Sequence, residues 1–107
     1  QLPLTVVNSH SHFDHVGSNW EFPQVYGYPE AGASRCALAG YPPDFLRPML
    51  EGNSLAKPLP ASFDPANYRI PPWKSVPVIP GQVFDLGDRQ LEVLYTPGHT
   101  DDSIMLL

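Results

Sequence analysis

The order of apolar and polar residues divides the chain into three zones. Residues 4–8, "LTVVN", are β-branched and almost continuously apolar, which predicts a strand buried on both faces. Beyond Gly17, Ser18 or Asn19 can cap a short turn of helix. A second short strand is expected at "PQVYGY" and a helix through "EAGASRCALAG". Residues 41–80 contain ten of the fourteen prolines, so little regular structure is expected there beyond a turn or two of helix near "PDFLRPMLEG". A segment this long is either a wall of a binding site or a solvated insertion. The last zone, "GQVFDLGDRQLEVLYTPGHTDDSIMLL", reads as strand, Gly-Asp turn, strand, loop, strand. In its middle strand Leu91, Val93 and Tyr95 alternate with Gln90 and Glu92, the period of a half-buried antiparallel strand.

Composition narrows the class. The chain has 107 residues, 42% hydrophobic and 16% charged, which suits one small globular unit. A net charge of −5 offers no basic stripe for a phosphate backbone, so nucleic acid is not an expected partner. No apolar run approaches the length of a membrane span. The sequence fixes no compartment; the cytoplasm is the default. Cys36, the single cysteine, can form neither an internal disulfide nor a multi-cysteine zinc site, and reads as a small buried apolar residue. The chain begins with Gln1 directly before one strand-like run and ends inside another, "SIMLL", which suggests a fragment of a longer protein.

Chemistry concentrates in "VVNSHSHFDHVGSN". Three of the four histidines, His10, His12 and His15, fall within six residues, with Asp14 between the last two. On a helix, residues i and i+2 lie roughly 200° apart, whereas an extended segment puts His10, His12 and Asp14 on one side. A strand end or loop is therefore expected, with a bend after Asp14, eased by Gly17, to bring in His15. Two imidazoles at i, i+2 and a third from elsewhere make an open catalytic zinc site with water in the fourth place. His99, in the turn-forming "TPGHT", is the one remaining histidine that can complete it.

The motifs "HSHFDH" and "TPGHT" resemble those of the metallo-β-lactamase-fold hydrolases, and the order of strand, histidine motif, strand, helix, hairpin and second histidine is similar to that family's order. The resemblance implies an α+β fold, an αββα sandwich of which a central part is present, so that residues 1–107 form a partial domain with a proline-rich insertion at about 41–80. It implies a first metal at His10, His12 and His99, and a second at Asp14 and His15. The family draws a bridging Asp and a last His from strands after "SIMLL", and it begins with strands ahead of "LTVVN"; these are absent from the sequence, leaving the first site whole and the second with two ligands.

The resemblance also implies zinc, one or two ions, with iron or manganese as alternatives. Zinc lowers the pKa of bound water to about 7, and a second metal polarises the carbonyl or holds the leaving group. Asp14 is the catalytic candidate, orienting that water and accepting its proton. Asp101 and Asp102 read as a solvated loop, although either could hydrogen-bond a ligand imidazole. Trp20, Tyr26, Tyr28 and Trp73 read as core rather than pocket lining. Ser103 has no histidine left to activate it. The expected function is zinc-dependent hydrolysis of a small ester, thioester or lactone. A non-hydrolytic metal or redox protein of the same fold and a phosphodiesterase or nuclease are the alternatives. The partner is a small molecule, with no membrane, and with homo-oligomerisation open.

Overall fold

The computed structural model describes residues 2–51 and 57–107. The elements are helix α1 (Phe13–Val16), a 3-10 turn (Asn19–Glu21), strand β1 (Val25–Gly27), helices α2 (Ala31–Ala39) and α3 (Pro43–Leu50), and strands β2 (Ser75–Pro77), β3 (Val83–Asp85), β4 (Gln90–Tyr95) and β5 (Ile104–Leu106). The architecture is α+β. β1 pairs in parallel with β2, while β3, β4 and β5 form an antiparallel meander.

The segment around Val7 joins these two sheets. Val6 O accepts from Tyr26 N at 2.9 Å and Asn8 N donates to Tyr26 O at 2.8 Å, whereas Ser9 O accepts from Ile104 N at 2.9 Å. Backbone groups of opposite parity leave a strand along opposite edges. Residues 6–9 therefore stand between β1 and β5. Side chains alternate across the same layer. Val6 and Val25 pack with Val16, Ala37, Leu46, Ile70 and Trp73, the core beneath the helices. Val7 and Tyr26 pack on the other side with Val78, Val93 and Ile104. Fully burying a valine or leucine contributes about 1.5–3 kcal/mol, so these two small cores carry much of the stability.

Two expectations for this region are corrected. The run "LTVVN" is not buried on both faces: Leu4 is 75% exposed, and only Val6 and Val7 are tucked against the two cores. Its pairing is a single bridge between Val7 and Tyr26. An apolar run is buried only as far as neighbours reach it, and the backbone bonds begin at Val6. The proline-rich zone also contributes more structure than expected, because Ser75–Pro77 adds β2 to β1. Pro77 tolerates this at the strand's end. The helix expected near "PDFLRPMLEG" forms, with Pro43 in its first turn, where a missing N–H costs nothing.

α2 starts at Glu30, whose carboxylate accepts from Gly32 N and Ala33 N. It ends at Gly40, which has φ 69° and ψ −163° and whose N–H donates to Cys36 O at 2.7 Å. That conformation is essentially restricted to glycine. A Cβ there would stand 2.1 Å from Ile70 O. The next residue, Tyr41, exchanges two backbone hydrogen bonds with Ile70, at 2.9 and 3.0 Å. Cys36 is partly buried against the helical core.

Candidate metal centre

The histidine motif begins where residues 6–9 leave the sheet. His12 is extended (φ −60°, ψ 145°), and the chain then turns into α1 at Phe13, with His15 N donating to His12 O at 3.0 Å. The bend thus comes two residues earlier than expected, before Asp14 rather than after it. Asp14 consequently leaves the extended register that would align it with His10 and His12, and joins His15 on the helical turn. Gly17 stays right-handed, at φ −56°. Asn19 caps nothing with its side chain; its amide instead exchanges hydrogen bonds with that of Asn8, at 2.7 and 3.3 Å. This partly buried pair ties the residues before and after the motif together.

His99 arrives from the other direction. Its loop joins β4 to β5 and is braced internally: Thr96 N donates to Ser103 O at 2.9 Å, the hydroxyls of Thr100 and Ser103 lie 2.6 Å apart, and Tyr95 OH donates to Asp101 O at 2.9 Å. Ser103 is thus spent on its own loop. Because Ile104 N bonds to Ser9 O, the loop opens beside the motif.

The result is one cluster. The rings of His10 and His12 have centroids 5.0 Å apart, those of His10 and His99 4.9 Å, and those of His12 and His99 4.8 Å. The ligating nitrogens of these three residues all lie within 4.8 Å of one another, so they could hold a metal ion. His10 Nε2 is buried without a hydrogen-bond partner among the described residues. Leaving such an atom unsatisfied costs about 1–3 kcal/mol, a cost a metal–nitrogen bond would remove. Burial lowers the His10 pKa below its ordinary value, with neighbouring His15, His12 and His99 adding to the effect and Asp102 opposing it. A neutral imidazole is the form that ligates. The donor set and its electrostatics both fit a divalent ion.

His15 and Asp14 stand beside this set rather than in it. The His15 ring lies 4.4 Å from that of His10, and its Nε2 is 3.6 Å from Asp14 Oδ2. Both side chains are more than half exposed.

Asp102 departs furthest from expectation. Instead of lying in a solvated loop it is buried, at 6% exposure, and it shares a cavity of about 10 Å³ with Asn8, His10, Ser11, Tyr28, Trp73 and Ser75. Its carboxylate raises the His10 pKa, opposing the larger effect of burial. Two adjacent aspartates gave no sign of which one turns inward. The strand period supplies it in retrospect, since Asp102 has the parity of buried Ile104. Among the aromatic residues, Trp73 is core, Tyr26 meets Phe84 edge-on and Tyr28 stacks on Tyr95, but Trp20 is exposed. Asp101 is exposed as expected.

A match to the metallo-beta-lactamase superfamily covers residues 3–107. The chain belongs to that superfamily. Acyl-coenzyme A thioesterase MBLAC2 of Gallus gallus is 30% identical over 105 residues, covering 97% of this chain and 37% of the relative. The proteins of the same name from Bos taurus and Homo sapiens are 31% and 30% identical over the same length. The chain thus spans 37% of the length of these curated relatives. No solved structure matches it. Among the described residues, no helix of this superfamily member is long and apolar enough to cross a membrane.

Proposed function

We propose that the protein is a zinc-dependent hydrolase of small thioesters, with esters and lactones as chemically neighbouring substrates. The observation that carries this reading is the convergence of His10, His12 and His99, with an unsatisfied His10 Nε2, in a chain about 30% identical to proteins named acyl-coenzyme A thioesterases. His10, His12 and His99 would hold the first ion, and Asp14 with His15 would contribute to a second. A divalent ion there supplies a Lewis acid and an acidified water at neutral pH.

The chain's own residues do the rest. Asp14 accepts a proton at a carboxylate oxygen, and its exposure keeps it open to a substrate entering from solvent. His15 Nε2 stands 3.6 Å from that carboxylate, on the side where a second ion would be held. Asp102, buried in the cavity that His10 also lines, adds negative charge near the imidazole. The balance of the reaction is simple: water adds across the C–S bond, giving a carboxylic acid and a free thiol. In the same reading residues 1–107 are part of the family's domain with the segment at about 41–80 as an insertion, and the partner is a small molecule rather than nucleic acid or membrane, as the net charge of −5 favours.

The test is thiol release from an acyl-coenzyme A, run beside an ester and a lactone, with and without a chelator and with His12→Ala. Thioester turnover that disappears with the chelator and in the variant supports the reading. No turnover of any of the three, or an unchanged rate in His12→Ala, overturns it.

A further inference from the structure

The peptide planes on either side of a ligand residue decide where its side chain points, so the anchors of those planes matter as much as the ligands. Three are visible around His10 and His12. Ser9 O is held by Ile104 N at 2.9 Å, and His12 O by His15 N at 3.0 Å. The carbonyl between the two histidines, Ser11 O, accepts from the Tyr41 hydroxyl at 2.6 Å across thirty residues of sequence.

Tyr41 is itself firmly fixed. Its N–H and C=O both pair with Ile70, the Gly40 conformation sets its approach, and Pro42 after it restricts it to extended backbone. Its ring packs against the helical core and lies 5.0 Å from that of Phe45. Burial pushes its hydroxyl pKa up, with a hydrogen bond to Cys36 in support, so it remains a donor at any physiological pH.

We propose that Tyr41 is a positioning residue for the metal centre: its hydroxyl, clamped on the Ser11 carbonyl, fixes the peptide plane that aims His12 into the cluster with His10 and His99. The inference rests on the proposed metal site but assigns a role to a residue outside it. Tyr41 lies in the proline-rich zone, which thereby becomes a support for the site. The ligand bond and the strut are separable, because the hydroxyl can be removed while the ring, the Ile70 pairing and the core packing remain.

The experiment measures zinc affinity of the 107-residue chain by chelator competition, together with the cobalt(II) ligand-field spectrum, for wild type, Tyr41→Phe and Phe45→Leu. The last variant disturbs the packing around the ring and leaves the hydroxyl. Loss of a hydrogen-bond partner on a ligand ring weakens metal binding roughly 10- to 100-fold, and a strut one step further out, on the ligand's peptide plane, is expected at the lower end, about tenfold. The expected result is a loss of that size in Tyr41→Phe with a displaced cobalt spectrum, while Phe45→Leu binds as wild type does and circular dichroism shows all three folded. Affinity within twofold of wild type in Tyr41→Phe overturns the proposal, as does an equal loss in both variants. A wild-type chain that binds no zinc overturns the metal centre, and the strut with it.

Discussion

Replacing Gly40 by alanine removes no functional group, yet it should be among the most damaging substitutions in the chain. Two costs add. The backbone at φ 69°, ψ −163° lies in a region essentially closed to residues with a Cβ, a strain of about 1–3 kcal/mol. The new Cβ would also meet Ile70 O at 2.1 Å and Pro71 C and Pro72 N at 2.9 Å, all of them backbone atoms that cannot swing away. Relieving the overlap moves the Ile70 segment away from Tyr41 and endangers their two hydrogen bonds, worth about 0.5–1.5 kcal/mol each. The sum is roughly 2–6 kcal/mol against a typical total of 5–15 kcal/mol. Gly81→Ala is the control: it also has positive φ, 86°, but nothing within 4 Å of its Cβ, so only backbone strain of about 1–2 kcal/mol applies. Urea unfolding followed by circular dichroism compares the two at constant m-value. Gly40→Ala within 1 kcal/mol of wild type, or no worse than Gly81→Ala, would refute the claim that this corner is sterically locked.

Three further outcomes follow from the site. Asp102→Asn keeps the side-chain shape and removes a charge that raises the His10 pKa, so His10 of the metal-free chain should titrate lower still; an NMR titration showing an unchanged His10 pKa would remove Asp102 from that electrostatic role. The metal-free chain should lose stability as pH falls below about 6.5, because the unfolded state protonates His10 at its ordinary pKa while the folded state resists until a lower one, so the unfolded form binds more protons in that window. The loss should level off below the folded-state pKa, and a melting temperature that rises between pH 6.5 and 5.5 would reverse the sign. His99→Ala should abolish tight zinc binding while leaving the β4–β5 pairing intact, since that loop is braced by Thr96, Thr100 and Ser103 rather than by His99; retained tight binding would remove His99 from the ligand set.

The convergence of His10, His12 and His99 was legible because metal ligation constrains spacing strongly. His10 and His12 at i, i+2 demand an extended backbone, and "TPGHT" between two alternating strands leaves His99 at a loop tip. The meander was legible from the period of two, with Leu91 and Val93 facing inward on β4, although Tyr95, the third residue of that set, is 40% exposed. Asp14 was less so, because the position of the bend depends on the helical turn closed by His15 N on His12 O, which the spacing does not encode. The burial of Asp102 beside His10 and the contact of Tyr41 with Ser11 were not legible: the two aspartates were read as a solvated loop, and Tyr41 was not singled out. One depends on which of two adjacent aspartates follows the strand's inward parity, the other on a contact across thirty residues that forms only when the proline-rich segment is laid against Ile70. The exposure of Leu4 shows the same limit, since a continuous apolar run reports an affinity for burial and not the presence of a cover.

The central claim, that His10, His12 and His99 form a metal centre, is tested most directly by elemental analysis after dialysis into metal-free buffer, comparing the wild-type chain with the variant in which all three are alanine. The account predicts close to one equivalent of tightly held zinc in the wild type, because three imidazoles with water complete a shell that Asp14 and His15 do not, and none in the variant. No metal in the wild type, or an equivalent retained in the variant, would contradict it.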